Sequence, residues 1–102
     1  MNTRFSNLHT KIAPILKPYA RRVSVFGSYA RGDETPQSDI DLLIALKPAN
    51  QRPPLGLFEL IRLEKALAKS VGRAVDLVTE EGISPRIKVS VEKEKVILYE
   101  EI

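Results

Sequence analysis

Between Val23 and Leu46 the chain reads VSVFGSYARGDETPQSDIDLLIAL, two apolar stretches interrupted by a polar middle. The first reads as a strand that stops at Gly27-Ser28. The second opens with Asp39-Ile40-Asp41 and is apolar throughout from Leu42, as a strand entering an interior would be. Residues two apart on a strand share a face, so Asp39 and Asp41 project together while Ile40 points into the opposite layer. Two carboxylates at that spacing repel, and burying them is costly unless a positive charge meets them. The fold must therefore supply an apolar layer for Ile40 and a counter-charge for the aspartates.

The flanking segments predict the rest of the architecture. From Ser6 to Ala20, Leu8, Ile12, Ile15, Leu16 and Tyr19 recur at helical spacing, with Pro14 and Pro18 predicting a short or bent helix. The polar connection SYARGDETPQS is expected to open with one helical turn, and KPANQRPP to be a mobile loop. LGLFELIRLEKALAKSVG carries an apolar helical face of Leu57, Leu60, Ile61, Leu67, Ala68 and Val71, with Gly72 at the capping position. Glu64 falls inside that face and either reaches solvent at its edge or meets a partner or an arginine. RAVDLVTE predicts a third strand bearing Asp76. Ser84-Pro85 predicts the cap and first turn of another helix, and VILYEEI a closing strand. The order α-β-turn-β-α-β-α-β implies an α+β fold: a small mixed β-sheet with helices packed mainly on one face, in a single domain over residues 1–102.

Bulk properties narrow the function. A chain of 102 residues, 43% hydrophobic and 28% charged, reads as ordinary globular material. Its net charge of +3 and pI near 9.3 permit an acidic ligand but fall short of the dense basic stripe of a dedicated nucleic-acid binder. The absence of cysteine excludes disulfides and thiolate zinc sites. No apolar run approaches the ~20 residues that span a bilayer, and no signal-peptide core opens the chain, so no membrane role and a cytoplasmic location are the default expectations.

A divalent metal resolves the repulsion between Asp39 and Asp41. Hard Mg²⁺ prefers oxygen ligands and is commonly completed by substrate phosphates. If the strand bearing Asp76 neighbours the first pair, a third carboxylate joins them. Three carboxylates holding two metals suit an in-line displacement at phosphorus. The glycine of Gly27-Ser28 lets backbone approach a ligand closely, the serine can donate to a phosphate oxygen, and Arg31 adds a permanent positive charge. Arg31 could equally pair with Asp33 or Glu34. Tyr29 could stack on a base or accept a nucleotide, though a packing or surface role is simpler. His9 has no catalytic companions, and Glu92–Lys95 reads as the solvent face of a helix end.

Taken in order, VFGSYARGDETPQSDIDLLI resembles the signature of the DNA polymerase β-type nucleotidyltransferases, Gly-Ser, a spacer, then Asp-x-Asp. The ARG after Gly-Ser, the SDIDLL block and the later GRAVDLV are similar to the small stand-alone members, the minimal nucleotidyltransferases (MNT), and the likeness covers nearly the whole chain. That resemblance implies that Gly27 and Ser28 grip a nucleoside triphosphate, beside which Arg31 would add its charge. It implies that Asp39, Asp41 and Asp76 hold Mg²⁺, as two ions, with Asp76 also the base. It further implies an antitoxin that transfers AMP from ATP to a hydroxyl, a tyrosine, of a partner HEPN-family toxin. A non-catalytic module that neutralises such a partner by covering it is the alternative reading. Transfer to an RNA end or an aminoglycoside is a more distant one. The helical domain by which larger relatives hold the base has no room in 102 residues, so a partner is expected to supply that wall; self-association is left open.

Overall fold

The computed structural model describes residues 3–101. A 3-10 turn, Thr3–Phe5, leads into helix α1 (Ser6–Leu16) and strand β1 (Ala20–Phe26). A short helix α2 (Gly27–Arg31) and a polar loop separate β1 from β2 (Ile40–Leu46). Helix α3 (Leu57–Val71), strand β3 (Val75–Thr79), helix α4 (Pro85–Glu94) and strand β4 (Val96–Glu100) complete the order. The four strands lie as β3-β2-β1-β4. β1 is antiparallel to β2 and β4, whereas β2 and β3 are parallel, joined by the crossover helix that a parallel pair requires.

α1 and α3 cover one face of this sheet. Ile12 and Leu16 of α1, with Leu63 and Leu67 of α3, pack on Val23, Val25, Ile40, Leu42, Ile44, Val75, Leu77 and Leu98. The alternation along β2 sends Leu43 and Ala45 to the reverse face, where they too are buried. That is why this segment is apolar throughout: β2 is an inner strand covered on both sides. On the reverse face Ile87 of α4 lines a cleft with Phe26 and Val78, and Val91 is the buried residue of that helix. The mixed sheet with its two long helices on one face matches the expected fold class.

Local chemistry explains the boundaries. α1 stops at Leu16, short of the Ala20 expected from periodicity, because Pro18 has no amide hydrogen to continue the ladder. Ala20 instead pairs with Leu46 as the first residue of β1. In α3 the Gly56 amide donates to Glu59 Oε1 at 2.7 Å, and Gly72, at φ 79°, closes the helix through its N–H to the Ala68 carbonyl at 2.8 Å. In α4 the Ser84 hydroxyl accepts the Ile87 amide at 3.4 Å and Pro85 takes the first helical position, as the sequence predicts. The segment expected as a loop after β2 contains a turn of 3-10 helix, Ala49–Gln51, and Arg52 Nε donates to the Lys47 carbonyl at 2.9 Å. Glu64 reaches across the sheet's edge and accepts the Leu77 amide of β3 at 2.8 Å, which settles its two sequence alternatives in favour of a partner. Ile102, at the end of the expected closing strand, lies outside the described residues. No helix among the described residues is long and apolar enough to cross a membrane.

Arg22 ties together segments far apart in sequence. Its guanidinium forks onto Glu80, with Nη2 to Oε1 at 2.7 Å and Nε to Oε2 at 3.0 Å, and donates from Nη1 to Glu100 at 2.9 Å. The fork joins β1 to the 3-10 turn after β3 and to β4, with side chains of Arg22 and Glu80 only 20% and 18% exposed. These charge-assisted bonds hold Glu80 ionised and push its carboxyl below its ordinary value against the opposing effect of burial. Replacing Arg22 by Met keeps the apolar stem and removes the fork, and is expected to lower folding stability by about 1 kcal/mol. Urea denaturation checks this, and an unchanged midpoint would leave the network without a structural role.

Candidate active site

The carboxylates gather where three strands begin or end. β1 ends at Phe26, whose antiparallel partner is Asp41, the second residue of β2; Asp41 in turn lies beside Asp76, the second residue of the parallel β3. Neighbouring residues in register share a face, so Asp41 and Asp76 project side by side while Ile40 and Val75 enter the core together. The adjacency of the two strands, on which the sequence argument was conditional, is thus met. Asp39 sits just before β2 and is exposed, as is Asp76; Asp41 is half-buried.

Burial, foremost, and then the negative charges of Asp76 and Asp39 push the Asp41 carboxyl above its ordinary value, while Arg31 works in the opposite direction. Asp41 therefore senses the charges of both other aspartates. Among the described residues no group of three or more His, Cys, Asp or Glu side chains is closed around one point as a metal-ligand set. The donor chemistry nonetheless suits a hard divalent cation: the groups are all carboxylate oxygens, and their mutual repulsion is relieved by positive charge.

Gly27 opens α2 at φ 73°, a left-handed conformation that favours glycine. A β-carbon there would collide with the Asp41 carboxylate, its Cγ lying 3.2 Å away. The glycine is needed twice over, for its backbone angle and for the closeness of β1's end to the aspartate. Ser28 follows, half-buried, on the same turn. The expected single helical turn is α2 itself, capped by Gly32 at φ 83° and braced by Arg4, whose Nη2 donates to the Tyr29 carbonyl at 2.7 Å. Tyr29 packs at the edge of the core with the Arg73 guanidinium 5.1 Å from its ring centre, in keeping with the packing role. His9 stands edge-on to Tyr99, with ring centres 6.0 Å apart.

Arg31 is placed between two acids. Its Nε donates to Asp33 at 3.2 Å, as one sequence alternative held, and its Nη1 donates to Glu94 at 3.0 Å. Glu34 is not its partner and lies 3.5 Å from Arg4 instead. Glu94 also accepts the Gly27 amide through Oε1 at 3.0 Å. The run Glu92–Lys95 is consequently not a uniform solvent face. Glu92 and Lys95 pair with each other at 3.0 Å, whereas Glu94 turns inward. A second residue missed from sequence is Arg73, whose Nη1 donates to the Thr35 and Ser38 carbonyls, each at 3.0 Å, fixing the loop that delivers Asp39. No local signal marks either, since each contact spans more than 30 positions.

An end of a mixed sheet that presents a glycine-serine turn against spaced carboxylates is the architecture of a nucleotidyl-transferring domain. A family model described as nucleotidyltransferase domain matches residues 10–98. A protein of Methanocaldococcus jannaschii, whose name gives protein adenylyltransferase as an inferred activity, is 36% identical over 92 residues, 89% of this chain and 94% of that one. Among solved structures, a chain of a toxin–antitoxin complex with AMP-PNP superposes with a TM-score of 0.75 at 24% identity, covering 90% of this chain and 73% of its own. A chain from the complex of tri-AMPylated Shewanella oneidensis HEPN toxin with MNT antitoxin gives 0.69 at 22%, covering 96% and 73%; both likenesses are to the fold. This chain belongs to the nucleotidyltransferase domain family, among its minimal members, and is a nucleotidyltransferase.

Two substitutions should move stability in opposite directions. Gly27→Ala forces an unfavourable φ and a collision, and is expected to cost about 1–3 kcal/mol. Asp41 titrates higher in the folded chain than unfolded, so its stabilising protonated form is complete at low pH and is lost as pH rises through the folded value. At neutral pH its ionised carboxylate is thus a net burden, and Asp41→Asn is expected to melt at a higher temperature than the wild type without ligand. Thermal melts at pH 7 in chelator check both; a lower melting temperature for Asp41→Asn would contradict the electrostatic picture.

Proposed function

We propose that the protein is an adenylyltransferase acting on a partner protein, the antitoxin of a pair whose other member is a HEPN-family toxin, with a tyrosine hydroxyl as acceptor. The observation that carries the reading is the register that sets Asp41 beside Asp76, with the Gly27 backbone pressed against Asp41. It is supported by the names of the M. jannaschii relative and of the AMPylated toxin–antitoxin complex.

In this reading Asp39, Asp41 and Asp76 hold Mg²⁺, as two ions, and the bound metal supplies charge neutralisation at the phosphates. The Gly27 amide and Ser28 hydroxyl hold the triphosphate, and Arg31 adds a cation on the same turn. The acceptor oxygen forms a bond to the α-phosphorus of ATP, the bond to pyrophosphate breaks, and Asp76 takes the hydroxyl proton. Gly27 permits the close approach because it carries no side chain, and Arg73 keeps Asp39 in position through its loop. The partner contributes the second wall that orients the acceptor, and the protein without it turns ATP over slowly.

Incubated with its partner and Mg-ATP, the wild type is expected to raise the partner's mass by whole adenylate units. The modified partner should stay silent after the two are separated, and Asp39→Asn/Asp41→Asn should leave the mass unchanged. Intact-mass spectrometry reads the outcome. An unmodified partner, silenced equally by the double variant, would overturn the catalytic reading and favour neutralisation by binding.

A further inference from the structure

Glu94 occupies the groups that the proposed triphosphate grip needs. One carboxylate bridges two donors, with Oε1 taking the Gly27 amide at 3.0 Å and Oε2 taking Arg31 Nη1 at 3.0 Å. An anion with two oxygens, seated on one backbone N–H and one guanidinium, has the donor pattern of a bound phosphate edge. We infer that Glu94 is an internal stand-in for the nucleotide's phosphate, so that nucleotide binds by displacing it and Glu94 sets the affinity and selectivity of the site. This rests on the nucleotide-binding reading above.

Three features make the carboxylate displaceable rather than a fixed strut. Glu94 is the last residue of α4, where the helix dipole presents its negative end and disfavours an anion. Its side chain is 23% exposed and that of Arg31 49%, so solvent reaches the pair. Arg31 also has a second anchor: with Glu94 gone, its Nε remains on Asp33 at 3.2 Å and Nη1 is free to turn to a phosphate. With Glu94 in place the site carries an additional negative charge and the charge of Arg31 is balanced by its carboxylate. An anion that arrives with its own divalent cation relieves the repulsion and replaces Glu94; a bare mononucleotide does so poorly. The exchange therefore selects metal-bound polyphosphate.

The test is calorimetric titration of the full chain with α,β-methylene-ATP and Mg²⁺. Glu94→Gln removes the charge, and Glu94→Asp keeps it but shortens its reach. Each is expected to bind about tenfold more tightly than wild type, as removal of a conformational tax of that size predicts. Glu92→Gln, the same charge change on the same helix, should stay within about twofold. The two Glu94 variants should also gain proportionally more for AMP than for the triphosphate analogue. In the wild type, the Glu94 carboxyl carbon and the Gly27 amide should shift together in NMR spectra as ligand is added. Variants binding as wild type or more weakly, or a Gly27 resonance that moves while Glu94 stays, would overturn the inference and leave Glu94 a strut. If neither wild type nor variants take up the nucleotide, the nucleotide-binding reading falls with it.

Discussion

The contact between the Gly27 backbone and the Asp41 carboxylate is the constraint around which the molecule is arranged. It requires β1 to end against the second residue of β2, and requires the chain to leave β1 in a left-handed conformation. That departure starts α2, whose five residues carry Ser28 and Arg31 past the same point. A side chain at Gly27 would strain the backbone and force the Asp41 carboxylate to move.

The core and the site are two faces of the same strands. Ile40 and Val75 anchor β2 and β3 in the apolar layer under α1 and α3, and the alternation of the strands then places Asp41 and Asp76 together on the reverse face. Packing thus compels a juxtaposition that electrostatics opposes. The elevated Asp41 carboxyl is the record of that conflict. Folding energy from the buried layer sustains a charge arrangement whose repulsion a bound cation would relieve.

Much of this was legible in the sequence because it rests on local rules. Strand alternation placed Asp39 and Asp41, Ser84-Pro85 marked the start of α4, and Gly72 marked the end of α3. Periodicity overran α1 because the apolar spacing continues through Tyr19, whereas Pro18 removes the hydrogen bond that helix would need. What stayed hidden depends on contacts between distant segments. Glu94 reads as one charge in a polar run until β4 pairs with β1 and α4 comes to lie beside α2. Arg73 reads as a surface cation until the parallel pairing of β3 brings it under the loop before Asp39. The partner of Glu64 was likewise invisible, because the Leu77 amide becomes available only when β3 forms the sheet's outer strand.

The central claim is that the aspartates on the reverse face form one metal-dependent nucleotide site, and its most direct test is the metal dependence of binding. Calorimetric titration of the wild type with a non-hydrolysable ATP analogue should give measurable affinity in Mg²⁺ and at least about tenfold weaker binding in chelator. Asp39→Asn and Asp41→Asn should each abolish that difference. Metal-independent binding that neither substitution alters would contradict the account, since the carboxylates would then play no part in holding the nucleotide.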